Sequence, residues 1–153
     1  MLFAQRLYSK MTPNPKVLFP AAVWFIATMA MSQTGDWDKN MNIAQAAYKK
    51  GQYAEAESVY REAVKEAEKF APADTRLAMS LNALGQTCYV EHEYPAVEPL
   101  YKRALTIREK EFGANDPELT ATIENYARLL RNTNRNAEAQ KLEARDRAIK
   151  AKP

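Results

Sequence analysis

From Asp36 onward the chain is written mainly in Ala, Glu, Lys, Arg and Leu, with no run of β-branched residues, and its apolar positions read as helix faces. Short breaks fall at Gly51-Gln52, His92-Glu93 and Asn132-Thr133-Asn134. Longer ones fall at Ala71-Pro72-Ala73-Asp74 and Gly113-Ala114-Asn115-Asp116-Pro117. The pattern predicts six helices paired into three hairpins. Asp116 followed by Pro117 is a helix start, a capping side chain and then a proline at the first helical position, and Asp74 holds the same place one period earlier.

The hairpins repeat. Residues 51–64 (GQYAEAESVYREAV) return as residues 92–105 (HEYPAVEPLYKRAL), with Tyr53, Tyr60 and Ala63 matched by Tyr94, Tyr101 and Ala104 at a spacing of 41. Phe70, Asp74, Leu77 and Leu81 recur as Phe112, Asp116, Leu119 and Ile123 at a spacing of 42. A third copy places Asn136, Ala139 and Leu142 at 42 beyond Tyr94, Val97 and Leu100. Such a period means stacked units, none of which can bury its apolar face alone.

The middle unit carries Leu81, Leu84-Gly85 and Cys88, then Tyr94, Val97, Tyr101 and Ala104. The first carries Ile43-Ala44, Ala47, Gly51, Tyr53, Ala56, Tyr60 and Ala63. This pattern resembles the tetratricopeptide repeat, with a period longer than the usual length of about 34. Residues 98–119 (EPLYKRALTIREKEFGANDPEL) resemble the longer repeat of kinesin light chains and related bacterial proteins. The resemblance spans roughly residues 38–150. It implies an all-α, right-handed superhelical stack of three helix-turn-helix repeats over about 38–73, 74–115 and 116–152, with residues 33–37 as a linker.

Ala56 and Ala63 are small so that helices can approach closely. Tyr60 and Tyr101 are expected to fill the space between paired helices and send their hydroxyls to the surface. Cys88 reads as a small buried hydrophobe, His92 as a turn residue with an unusual backbone angle, and Pro99 as the mark of a helix that starts late or bends. In the third unit Glu143 and Asp146 replace the tyrosine and alanine, which gives a terminal repeat a polar outer face.

The resemblance further implies a concave groove lined by the first helix of each pair. The first unit contributes Asp38, Met41, Gln45, Tyr48 and Lys49. The second contributes Met79, Asn82, Gln86, Tyr89 and Val90, and the third Ala121, Glu124, Arg128, Arg131 and Asn132. Met41, Met79, Tyr48 and Tyr89 offer adaptable apolar area, and Gln45, Asn82 and Gln86 offer amides that can bond an extended backbone. Arg128 and Arg131 place positive charge at one end, where an acidic residue or carboxylate can dock. The expected partner is therefore a protein or peptide segment with an acidic-end preference. The alternative is a self-assembling scaffold subunit or homodimer, joined through the first unit's uncovered face near Trp37 and Tyr48.

Charge and composition narrow the classes. Arg6, Lys10 and Lys16 account for the whole formal charge of +3, so the remainder is neutral and nucleic acid is not the expected partner. One cysteine, one histidine and four glycines leave no Cys/His metal cluster, glycine-rich phosphate loop or catalytic constellation. Neither an enzyme, a cofactor nor a small-molecule substrate is expected. Residues 17–31 (VLFPAAVWFIATMAM) are uncharged, follow Lys10 and Lys16, and end in small residues. That is the form of a secretory signal peptide within residues 1–32, with an uncleaved membrane anchor as the alternative. Either places the domain outside the cytoplasm, periplasmic or secreted.

Overall fold

The computed structural model describes residues 36–72 and 74–151; the signal segment expected in residues 1–32 lies outside them. Helix α1 covers residues 36–49, so residues 36 and 37 are helical rather than linker. Helices α2 (Tyr53–Ala67), α3 (Thr75–Val90) and α4 (Tyr94–Phe112) follow. A 3-10 turn, Pro117–Leu119, leads into α5 (Thr120–Asn132), and α6 spans Asn136–Lys150. Among the described residues there is no strand, and no helix is long and apolar enough to cross a membrane.

Each hairpin closes with the same backbone device. The turn residues Gly51, His92 and Asn134 have φ of 75°, 64° and 61°. Their N–H groups donate to the carbonyls of Tyr48, Tyr89 and Arg131, while those of Gln52, Glu93 and Arg135 donate to Ala47, Cys88 and Leu130. These paired bonds satisfy carbonyls that a helix end would leave open, and they set one register for all three turns. His92 holds its left-handed conformation at a cost that glycine does not carry. At the helix starts, Asp74 accepts from the Arg76 N–H at 2.9 Å, and Asp116 accepts from the Glu118 N–H at 2.9 Å. Asp116 thus caps the 3-10 turn rather than α5 itself. Pro99 lies inside an uninterrupted α4, on an exposed position.

The core is a string of clusters along the stack. Ala44, Ala56, Ala63 and Ala104 are fully buried at the close approaches, and Leu81, Leu119, Ile123, Leu129 and Leu130 fill the space between helices. Tyr101 lies against Gly85, where an added Cβ would meet its Cε1 at 2.6 Å. Its ring is wholly enclosed, and its hydroxyl has no partner instead of reaching the surface. Ring burial, worth about 3–5 kcal/mol, outweighs the ~1–3 kcal/mol of an unsatisfied hydroxyl.

Ion pairs repeat along the outer helices. Arg103 on α4 meets Glu68 just after α2 at 2.7 Å, and Arg145 on α6 meets Glu109 on α4 at 2.6 Å. Between the second and third hairpins, Glu98 binds Arg135 at 2.6 Å, Lys102 at 2.7 Å and the Tyr126 hydroxyl at 2.9 Å. Arg135, then Lys102, hold the Glu98 carboxyl down at about 2. The third hairpin departs as its sequence suggests, with one difference: Asp146 is buried, with Oδ2 on Lys150 at 2.6 Å and Oδ1 without a partner.

Two substitutions should move stability in opposite directions. His92→Gly relieves the left-handed backbone and is expected to stabilise by about 0.5–1 kcal/mol. Gly85→Ala gains about 1 kcal/mol of helix propensity but forces Tyr101 aside at about 1–3 kcal/mol, so its denaturant midpoint should fall. Because the folded Glu98 carboxyl is depressed from 4.5 to about 2, its stabilisation is complete above about pH 4.5 and is lost as pH falls toward 2. The stability gap between wild type and Glu98→Gln should therefore narrow over that window in acid-titrated urea melts.

Candidate peptide-binding groove

Helices α1, α3 and α5 carry the expected groove residues, and the structure brings some of them together. Tyr89 on α3 is the centre of the best-connected group. Its ring lies 5.1 Å from the Arg128 guanidinium on α5, and its hydroxyl accepts from Asn132. Tyr94 packs against it at 5.5 Å between ring centroids. One period earlier, Tyr48 packs edge-on against Tyr53 at 5.3 Å. Gln45 and Lys49 are exposed, and Gln86 is half-buried. Met79 is 43% exposed, whereas Met41 is partly covered, with its sulfur 3.6 Å from the Ser80 hydroxyl.

Asn125 is the residue that sequence reasoning missed. Only 7% exposed, it donates to Asn82 Oδ1 at 3.3 Å and accepts from Arg128 at 2.8 Å. It thereby ties α3 to α5 and fixes the guanidinium over Tyr89. Its position, 43 residues after Asn82 and three before Arg128, was the available signal. Neither partner of Arg128 is anionic, so its charge is oriented without being neutralised.

Two expectations are corrected. Arg131 is not a free cation: it forms a two-bond pair with Glu143 on α6, at 2.6 and 2.7 Å, which raises the arginine and lowers the carboxyl. Glu124 likewise pairs with Lys150 on α6. Both belong with Arg128, Asn132, Asp146 and Arg147 to a shallow concavity of about 440 Å³ on the last hairpin. Trp37 does not offer an uncovered edge, because it is 7% exposed and its indole N–H donates to Ser80 at 2.8 Å.

With this geometry the fold is defined as an all-α, superhelical stack of tetratricopeptide-like hairpins. Residues 38–110 match the family model described as tetratricopeptide repeat, a stretch that ends within α4. The chain is similar to BtubC (BKLC) from P. vanneervenii, with a TM-score of 0.70 and 22% identity over 75% of this chain and 46% of that one. Two structures of a Podosopora anserina putative kinesin light chain with nearly identical TPR-like repeats give TM-scores of 0.65 and 0.64. Each is 22% identical over 75% of this chain and 55% of its own length. The chain thus spans about half the length of these neighbours. A comparison with curated proteins finds no match.

Proposed function

We propose that this chain is a protein-interaction module that holds an extended segment of another protein across α1, α3 and α5. The observation that carries the reading is the Asn82–Asn125–Arg128–Tyr89 line, which bridges two hairpins and presents an oriented, un-neutralised guanidinium beside an aromatic face. Amides at Gln45, Asn82 and Gln86 suit a peptide backbone, and Met79 and Tyr48 add apolar contact. The match to a repeat family and its likeness to stacked-hairpin proteins support the same reading. An acidic preference rests on Arg128 and on exposed Lys49, since Arg131 is already paired.

Fluorescence anisotropy with acidic, neutral and basic peptide pools tests this. Acidic peptides should bind about tenfold more tightly than basic ones, and Arg128→Glu should reverse the order. Equal affinity across the pools, unchanged in Arg128→Glu, would refute the acidic preference; no binding of any pool would refute the groove.

A further inference from the structure

The common register of the turns allows the two joints of the stack to be compared residue by residue. Glu57 and Arg61 on α2 correspond to Glu98 and Lys102 on α4 at a spacing of 41, and each acid pairs with the cation four residues on. Glu93 corresponds to Arg135, because their N–H groups make the same turn bond, to the carbonyls of Cys88 and Leu130. At the second joint, Arg135 reaches back to Glu98 at 2.6 Å. At the first joint, the residue in that place is another acid. Glu93 joins Glu57 and the Cys88 thiol in a group whose ligand atoms all lie within 4.8 Å of one another.

Within and beside this cluster, one side chain and one carboxylate oxygen are buried. Cys88 is fully buried, and its sulfur has only a weak contact with Glu57 Oε1, at 3.9 Å. Glu91, beside Glu57 and Glu93, has a buried Oε2 with no hydrogen-bond partner. Its counterpart in the third hairpin is Thr133, which is bonded to the Leu129 and Leu130 carbonyls. Around the second joint Glu98 and Glu138 are balanced by Lys102 and Arg135. Around the first, Arg61 pairs with Glu57, and among the described residues no ion pair is formed by Glu91 or Glu93.

We propose that Glu57, Cys88 and Glu93 bind a divalent cation of the zinc class, in the place that the Arg135 guanidinium takes at the next joint. A charge of +2 offsets negative charge that the carboxylates and a Cys88 thiolate bring together. One thiolate with carboxylate oxygens selects a borderline-soft ion over magnesium or calcium, which take oxygen ligands alone. Arg61 holds Oε1 of Glu57 and leaves its other oxygen available. Burial, then the negative charge of Glu57, pushes the thiol up to about 11; Glu93 and Glu91 add to this and Arg61 opposes it.

The test uses the full chain, stripped with a chelator and titrated with zinc and cadmium chlorides. Expected are one equivalent bound, a cadmium–thiolate charge-transfer band that Cys88→Ala abolishes, and a rise in melting temperature with zinc but not with magnesium. Glu93→Arg restores the guanidinium found at the other joint. It should remain folded by circular dichroism while losing at least about tenfold in zinc affinity. A wild-type protein with no thiolate band and no zinc-dependent melting shift would overturn the proposal, as would a folded Glu93→Arg that binds zinc like wild type.

Discussion

The contact between the Tyr101 ring and Gly85 sets the geometry on which the rest of the stack depends. A ring pressed into the place of a side chain draws α3 and α4 together, and Tyr126 from the next hairpin leans on it at 6.4 Å between centroids. The same two positions are filled differently in the other hairpins. Ala44 stands opposite Tyr60 in the first, and Ala127 stands where Gly85 does in the third, with Glu143 in place of the tyrosine. Once that tyrosine becomes a glutamate, it needs a cation, and Arg131 supplies it. The residue that replaces the tyrosine in the last hairpin thus takes up the charge of Arg131, while Arg128 stays bonded to the neutral Asn125.

Much of this was legible in the residues because the informative chemistry is local. Turn residues at 51, 92 and 134, caps at Asp74 and Asp116, and small residues at helix contacts all act within a few positions of where they are written. Side-chain partners between hairpins were not legible. The Trp37–Ser80 bond joins residues 43 apart, and the Arg135–Glu98 pair joins residues 37 apart. A helical face tells which way a residue points but not whether an opposing charge waits there. Arg131 on α5 was therefore read as a free cation when Glu143 on α6 pairs with it, and Asn125 was passed over although it organises the contact between α3 and α5.

The two joints show how one backbone arrangement tolerates different electrostatics. Hydrogen bonds of the turns hold the register whether the side chain at that position is glutamine, glutamate or arginine. Chemistry at the joint is then free to differ: an ion-pair network around Glu98, and an acidic cluster around Glu57. The same freedom shows at the hairpin links. Arg76 covers Phe70 with its guanidinium 3.5 Å above the ring, whereas position 118 is glutamate and the corresponding Phe112 is 40% exposed.

The outer arginine clips have a direction. Arg103 reaches back to Glu68 and Arg145 reaches back to Glu109, so each hairpin carries the residue that secures the one before it. A nascent chain exposes Glu68 thirty-five residues before its partner is made. At about 5–20 residues per second, that is a wait of ~2–7 s. The first hairpin must therefore pass that interval on its own turn bonds, alanine contacts, Tyr48–Tyr53 packing and local ion pairs, and the stack tightens from behind as translation proceeds.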